Sequence, residues 1–251
     1  MATVVGLLSA CAPAVTATLT LAATAPTSAT PSPEPADTAT PAPTPSDTPV
    51  PLTDICTPLF DHPLAQLSQY LTQPFIPPAG ANKELGHHGV DFAYYRRDGT
   101  GGHINGAPIQ SVLDGQVAAS GYSPVYGNYL IIETPGVWLQ EEALSAYSME
   151  TGQSLYLLYA HMQAPAPFAL GEQVACAQQL GLVGGTGDPY YVSDPHLHFE
   201  TRVGPAGIRL GPMSYYTTSA TEDEKAEYER WRSSDTFIMA DPLLLLNLGV
   251  D

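Results

Sequence analysis

The sequence predicts a mostly β fold, an antiparallel sheet followed by a short C-terminal helical extension. Short apolar or alternating runs are separated by Gly, Pro and Asp, which is typical of strands joined by turns. Segments with helical periodicity are few, so the strands dominate the expected architecture. With 251 residues, of which 44% are hydrophobic, the chain is long enough for one packed domain and a tail.

The predicted strands follow one another through the middle of the chain. In order they cover residues 108–113, 116–119, 129–133, 155–161, 181–183 and 196–201. Asp114-Gly115 separates the first two runs and predicts a tight hairpin turn between them. Thr221 and Glu224 have the spacing of a capping box, so a helix is expected from Thr221 to about Arg232. The apolar run at 241–246 is expected to pack this extension against the core.

The charge of the chain excludes some classes of function. Eight Lys and Arg against 25 Asp and Glu give a formal net charge of −17. Such an acidic surface repels phosphate backbones and anionic headgroups, so no nucleic-acid partner is expected. No run of about 20 apolar residues lies beyond the N-terminus, which argues against a polytopic membrane protein.

The N-terminal residues 1–23 are interpreted as an export segment. Small apolar residues lead to Leu8-Ser9-Ala10-Cys11, which resembles the lipobox of bacterial lipoproteins. A lipid on Cys11 would hold the protein at a membrane surface by burying acyl chains. The alternative is an ordinary secretion signal, cleaved further along the chain and without a lipid.

Residues 24–53 are predicted to be a disordered linker rich in Thr and Pro. Nine prolines fall between Pro26 and Pro51. This composition cannot bury a core and favours extended conformations, so the segment would act as a spacer or as a tail without a role. The folded domain is therefore expected over residues 54–251, with the extension beginning at about 205.

The pattern His87-His88-Gly89-Val90-Asp91 is the first candidate site. In an extended chain residues 87, 89 and 91 share one face, so His87 and Asp91 would converge across a glycine. Imidazole and carboxylate groups are zinc ligands, and a hydrogen-bonded structural His–Asp pair is the alternative.

Two further histidine motifs follow on predicted strands. His196 and His198 alternate with apolar residues, so both face the same side and could reach one metal. His161 ends an apolar strand and could point into a cleft, although a structural role is the simpler reading of this residue taken by itself. Catalytic zinc usually has three protein ligands and an open position for water, and these motifs supply enough groups for ligands and proton transfer. There is no HExxH pattern, so a helix-borne zinc site is not expected.

The sequence resembles the lysostaphin/LytM-type zinc metalloendopeptidase family of peptidoglycan endopeptidases over residues 85 to 204. Three motifs match the signatures of that family in the same order: His87-x-x-x-Asp91, Tyr159-Ala160-His161 and His196-x-His198. Supporting segments also match, at residues 106–109, 114–117, 126–129, 168–174 and 180–181.

The resemblance implies a fold, a cofactor and a reaction. The implied fold is the family's antiparallel β-sheet groove domain, of the duplicated hybrid motif type. One Zn²⁺ per chain would be bound by His87, Asp91 and His198, with His161 and His196 as the catalytic histidines. The implied reaction is hydrolysis of a peptide bond in the cross-bridge or stem peptide of peptidoglycan, by a zinc-activated water, in the cell envelope or the wall. We expect a monomer, with membrane contact only through the lipid anchor.

Some features leave alternatives open. A non-catalytic wall-binding or regulatory module on the same scaffold is the other class of function. Tyr126 could contact substrate and Glu200 could support a metal ligand, or both could serve only packing. The long connection at 134–154 could be a substrate-contacting flap or a surface insertion. The segment at 188–194 is expected to wall the groove.

Two cysteines remain if Cys11 carries a lipid. Outside the cytoplasm a pair of thiols tends to oxidise, so we predict a disulfide between Cys56 and Cys176. It would tie the N-terminal segment to the domain. Two separate buried thiols are the alternative.

Overall fold

The computed structural model describes residues 52–93, 104–189 and 194–250. The export segment 1–23 with Cys11, and nearly all of the linker 24–53, lie outside these residues. Within the described ranges, none of the helices combines the length and the apolar character that crossing a bilayer requires.

The described residues form ten strands and three α-helices. The strands are β1 (Leu71–Gln73), β2 (Val90–Phe92), β3 (Pro108–Gln110), β4 (Gly115–Ser123), β5 (Gly127–Pro135), β6 (Gln153–Met162), β7 (Gln173–Val174), β8 (Gln179–Leu182), β9 (Leu197–Pro205) and β10 (Ile238–Ala240). The helices are α1 (Glu141–Ala146), α2 (Glu222–Arg232) and α3 (Leu243–Leu248), with 3-10 turns at Leu64–Gln69 and Gly136–Trp138.

The fold is a mostly antiparallel β-sheet, as the sequence predicts. Eight strands form the main sheet in the order β1-β2-β9-β6-β5-β4-β7, with β10 paired to β9. Strands β3 and β8 form a separate antiparallel pair. The predicted strands at 129–133, 155–161 and 196–201 become β5, β6 and β9, which lie side by side at the centre of the sheet.

The predicted hairpin at Asp114-Gly115 is wrong. Strand β3 pairs with β8, whereas β4 pairs with β5 and β7, so the chain crosses from one sheet to the other at this point. The Asp114 carboxylate accepts a hydrogen bond from the Cys176 backbone N–H at 2.7 Å, and its carbonyl accepts one from Thr134. Asp114 therefore forms hydrogen bonds with distant residues instead of the local ones that a tight turn would require.

The two faces of the main sheet pack against different parts of the chain. One face packs against the N-terminal segment, α1 and α3 in a large apolar cluster that includes Leu157, Tyr159, Leu197 and Phe199. The other face packs against the part of the C-terminal extension that precedes β10, in a second apolar cluster that includes Leu210, Met213, Tyr228, Trp231 and Phe237.

The C-terminal extension has the predicted elements. Thr221 accepts a hydrogen bond from the Glu224 backbone, and the Glu224 side chain accepts one from the Thr221 backbone, so the capping box is formed. Helix α2 ends at Arg232 as expected. The segment at 241–246 leads into α3, and its residues Leu245 and Leu246 are buried in the core.

The connection at 134–154 is a packed insertion rather than a flap over the site. Leu139, Ala143 and Tyr147 are buried in the large apolar cluster. The Tyr147 hydroxyl lies 3.3 Å from Thr201 Oγ1, beneath β9. These contacts fix the segment on the face opposite to the side chains of His198 and Glu200.

Cys56 and Cys176 form a disulfide with an S–S distance of 2.02 Å, the pairing that the sequence predicts. The bond joins the start of the described chain to the connection between β7 and β8. Neighbouring backbone hydrogen bonds, such as Cys56 N–H to the Val112 carbonyl at 2.8 Å, hold the same segment in place.

Candidate metal centre and active site

Strand pairing brings the first candidate residues together. In the register of β2 with β9, Asp91 lies directly opposite His198, although 107 residues separate them. His87 precedes β2 and pairs with Ile76 through an isolated bridge. Gly89 is required for this approach, because a Cβ there would lie 2.3 Å from the carbonyl oxygen of Phe199.

His87, Asp91 and His198 place one donor atom each at a common point. His87 Nε2 lies 3.1 Å from Asp91 Oδ1 and 3.1 Å from His198 Nδ1, and His198 Nδ1 lies 2.8 Å from Asp91 Oδ1. Tetrahedral zinc with ligand bonds of about 2.0 Å would separate its donors by about 3.3 Å. The three atoms form a triangle close to that size, and they are the one such group of His, Cys and acidic residues among the described residues.

Neighbouring carbonyl and carboxylate groups set which nitrogen of His87 and which nitrogen of His198 faces the cluster. The carbonyl of Pro74 lies 2.8 Å from His87 Nδ1, so that nitrogen carries a proton and Nε2 faces the cluster. Glu200 Oε1 lies 3.0 Å from His198 Nε2 and likewise fixes its proton, which leaves Nδ1 for the cluster. Each imidazole therefore turns its other nitrogen toward Asp91, and a metal ion would replace any proton on that nitrogen.

The electrostatics of the cluster favour a bound cation. Burial opposes the ionised form of Asp91, but hydrogen bonds from His198 and His87 outweigh it and hold the carboxyl pKa well below its usual range. Burial also disfavours a charged His198, yet Asp91 and Glu200 on its two sides raise its pKa to about 9. A site that draws a positive charge between two carboxylates, with two nitrogens and one oxygen as donors, fits a zinc ion.

The cluster lies in a pocket of about 430 Å³ that His161 and His196 also line. The rings of His161 and His196 have centroids 4.5 Å apart, and His161 is 5.8 Å from the ring of His198. His196 Nε2 lies 3.7 Å from Asp91 Oδ1. All five predicted histidine and aspartate residues therefore meet at one site.

Backbone carbonyls fix the tautomers of these two histidines as well. His161 Nδ1 lies 2.9 Å from the Thr186 carbonyl, and His196 Nδ1 lies 2.8 Å from the Asp194 carbonyl. Carbonyls only accept, so each Nδ1 carries a proton and each Nε2 is the acceptor nitrogen. Burial lowers the pKa of both, with the neighbouring imidazoles bringing His161 to about 3, so both are neutral near pH 7.

A β-bulge directs His161 into the pocket. Strict alternation along β6 would place His161 on the same face as Tyr159, in the large apolar cluster. The pairing of β5 with β6 shifts between Tyr159 and Met162, which gives β6 one additional residue, and His161 has φ 59°. Bulges re-aim side chains at active sites, and the positive φ is a local strain that the surrounding hydrogen bonds maintain.

A buried polar network lies behind His198. Besides His198, Glu200 accepts from the Tyr126 hydroxyl at 2.9 Å and from Arg202 Nε at 2.9 Å. Glu200 and Arg202 are both fully buried, and although burial opposes ionisation, Arg202 and His198 keep the Glu200 pKa well below its usual range. Arg202 also donates to His88 Nδ1 at 3.0 Å. Tyr126 therefore gives its proton to Glu200 and is not a free donor toward the pocket.

Sequence reasoning missed three residues of this site. His88 and Arg202 belong to the network, and Arg232 of α2 lines the pocket. The sequence did contain a signal for Arg202, because Arg202 continues the alternation that begins at His196 and runs through His198 and Glu200 of β9. Arg232 had none, since its contact with Glu84 spans 148 residues of sequence.

An antiparallel sheet that holds a His–Asp–His cluster and two further histidines in one pocket is the architecture of a β-sheet metallopeptidase. Residues 86–210 match Peptidase family M23, and through this domain the chain belongs to that family, the LytM and lysostaphin type.

The chain is similar to several characterised proteins. It is 31% identical over 101 residues to the cell division protein DipM of Caulobacter vibrioides, which covers 40% of this chain and 13% of DipM. It is 29% identical over 133 residues to the peptidoglycan DD-endopeptidase ShyC of Vibrio cholerae, 53% of this chain and 24% of ShyC. The chain thus spans a quarter or less of these relatives.

Among solved structures, the catalytic domain of the antimicrobial peptidase lysostaphin from Staphylococcus simulans is 25% identical. The similarity covers 57% of this chain and 87% of that domain, with a TM-score of 0.37.

Proposed function

We propose that this protein is an exported zinc metalloendopeptidase that hydrolyses peptide bonds in peptidoglycan. The observation that carries the proposal is the convergence of His87 Nε2, Asp91 Oδ1 and His198 Nδ1 within 3.1 Å, in a pocket that His161 and His196 share. Membership of family M23 and the similarity to a peptidoglycan DD-endopeptidase support the reaction class and the substrate.

His87, Asp91 and His198 would hold the zinc ion. When bound, zinc supplies Lewis acidity, which lowers the pKa of water toward about 7 and polarises a substrate carbonyl. Hydrogen bonds to Pro74 and Glu200 already orient the rings of His87 and His198, so both would bind zinc without a change in ring orientation.

His161 and His196 would carry the proton transfers and stabilise the oxyanion. Each keeps a proton on Nδ1 through a backbone carbonyl and presents Nε2 as an acceptor, which suits a group that takes a proton from the attacking water. His196 is the better placed for this step, because its Nε2 lies only 3.7 Å from the ligand atom of Asp91. Once His161 has taken up a proton on Nε2, that N–H can donate a hydrogen bond to the developing negative charge on the substrate oxygen.

The proposal includes export and the division of the chain. Residues 1–23 would direct export, Cys11 would carry the lipid, and 24–53 would be the spacer that precedes the peptidase domain. The disulfide between Cys56 and Cys176 supports an oxidising compartment, because such bonds are rare in the cytosol. Labelling with a radioactive or clickable fatty acid tests the anchor: a Cys11→Ala variant that still incorporates label would refute it.

Zinc content and wall hydrolysis test the central proposal together. Wild-type protein should hold one zinc per chain and release muropeptides from purified sacculi. His161→Ala should keep its zinc and lose release, whereas His198→Ala should lose both. His62→Ala is a matched control, because His62 does not line the pocket.

A wild-type protein that binds zinc but releases nothing would favour the other class, a wall-binding or regulatory module. Equal release by wild type and His161→Ala would refute the catalytic role of His161. Mass analysis of fragments from defined peptidoglycan would identify the bond that is cut.

A further inference from the structure

Helix α2 lies outside the family domain, yet its last turn reaches the metal site. The family match ends at residue 210, and α2 covers Glu222–Arg232. Tyr228 and Trp231 anchor the helix on the sheet, each with at most 1% of its surface exposed. Arg232, at its end, lines the pocket beside Tyr126 and His198, and only 13% of its side chain is exposed.

The guanidinium of Arg232 connects two sides of the site. Its Nε donates to Glu84 Oε2 at 3.1 Å, in the segment that leads into His87. Its Nη1 donates to the Tyr126 hydroxyl oxygen at 3.1 Å, on the turn between β4 and β5. A planar guanidinium can hold two partners in fixed directions, which an ammonium group on a flexible stem does less well.

The chemistry of the partners gives these hydrogen bonds a direction. Arg232 can only donate, so the Tyr126 oxygen accepts from it and the Tyr126 proton goes to Glu200 Oε1 at 2.9 Å. The ionised Glu200 can only accept, so it takes the Nε2 proton of His198 at 3.0 Å. The series of hydrogen bonds from Arg232 through Tyr126 and Glu200 therefore ends at His198 Nε2 and fixes the ring orientation that turns Nδ1 toward Asp91.

We infer that Arg232 is a positioning residue of the metal centre: it fixes Tyr126 and, through Glu200, the ring of the metal ligand His198. This inference deepens the proposed function and rests on the proposed metal ligands. It also gives the C-terminal extension a role in the site beyond covering the sheet.

Zinc affinity is the direct readout, measured by competition with a chromogenic chelator. Arg232→Met keeps the aliphatic stem and removes the donors. Partners of metal ligands affect zinc affinity by about 10- to 100-fold, and Arg232 acts two hydrogen bonds beyond such a partner, so we expect a loss at the lower end, about tenfold. Arg232→Lys should recover part of it. Arg230→Met is the matched control on the same helix turn, since Arg230 has only a 3.6 Å ion pair with Glu227 and should leave the affinity unchanged.

A double-variant cycle separates positioning from a general loss of stability. Tyr126→Phe removes the same connection without touching the pair of Arg232 with Glu84. If the two residues act through one chain of hydrogen bonds, the double variant should bind zinc about as weakly as the weaker single variant. Independent, multiplying losses would overturn the inference, and so would unchanged affinity in folded Arg232→Met. Should Arg232→Met fail to fold, unchanged affinity in Tyr126→Phe would overturn it equally.

Hydrolysis measured in parallel keeps the two proposals distinguishable. A wild-type protein that binds zinc but cleaves nothing would end the proposed peptidase activity and leave the inference on Arg232 standing if its affinity pattern holds. Active wild type together with full zinc affinity in Arg232→Met and Tyr126→Phe would end the inference alone.

Discussion

The two faces of strand β9 differ in what holds them in place. Leu197 and Phe199 point into the large apolar cluster and are fully buried there. The intervening residues His198, Glu200 and Arg202 are equally or nearly as buried, yet they are held by directed hydrogen bonds and ion pairs. The apolar face of β9 can therefore accept changes of side-chain shape at a cost in packing energy. The polar face instead requires that each side chain keep its hydrogen-bond or ion-pair partner. Variants of neighbouring residues on β9 can separate the two contributions.

The largest contrast is expected between His198→Ala and Leu197→Ala. Loss of His198, a proposed zinc ligand, should weaken zinc binding by more than about a hundredfold, since even residues that only hydrogen-bond to a metal ligand affect the affinity by about 10- to 100-fold. Leu197→Ala removes a fully buried side chain and should lower the free energy of unfolding by about 2–5 kcal/mol. Chelator competition and urea unfolding measure the two effects. Full zinc affinity in folded His198→Ala would show that His198 is not a zinc ligand.

A second contrast concerns buried charge. Arg202→Met leaves Glu200 in the interior without its main partner and should cost about 3–5 kcal/mol of unfolding free energy. Phe199→Leu, on the opposite face, should cost about 1 kcal/mol, because the substitution keeps much of the apolar volume. The double variant Glu200→Gln/Arg202→Met should regain part of the loss. A double variant that loses the full sum would show that the pair is not coupled.

A third variant tests a polar group within the apolar face. The Tyr159 hydroxyl accepts a hydrogen bond from the Val112 backbone N–H at 2.9 Å, and both residues are fully buried. Tyr159→Phe leaves that N–H without a partner and should cost about 1–3 kcal/mol, with zinc affinity unchanged. The exposed Tyr122 gives the control Tyr122→Phe, for which no change is expected. Equal stability of the two variants would contradict the assignment.

The smallest effect concerns the helix that covers the polar face. Thr221→Ala removes the side-chain cap of α2 and should cost about 1 kcal/mol, a fall in Tm of about 2–4 °C. Thr221→Ser retains the hydroxyl and should stay close to wild type. Differential scanning calorimetry checks both, and an unchanged Tm in Thr221→Ala would indicate that the cap does not contribute.

The sequence predicts the site better than it predicts the connections between strands. Alternation along β9 and the three-motif resemblance together identify the five clustered residues of the pocket, because period 2 directly places side chains on a face. These are His87, Asp91, His161, His196 and His198. The hairpin at Asp114-Gly115 fails because the Asp114 side chain bonds to Cys176, a partner that no local pattern reveals. Turn composition indicates which backbone conformations a segment can adopt, and tertiary contacts determine which of them it does adopt.

The positions of His161 and Arg232 in the site also depend on tertiary contacts that the sequence does not reveal. The face of His161 is set by a bulge of one residue, and the regular alternation of β6 points the other way. Arg232 reaches the pocket only because α2 packs across the sheet on Tyr228 and Trp231. Both features depend on long-range packing, so only the assembled fold exposes them.

Anomalous diffraction at the zinc edge, from crystals of the zinc-loaded protein, would locate the ion and its ligands. We expect a single ion at about 2.0–2.2 Å from His87 Nε2, Asp91 Oδ1 and His198 Nδ1, with His198 Nε2 still hydrogen-bonded to Glu200. An ion held by other residues, or bound through His198 Nε2, would contradict the proposed metal centre.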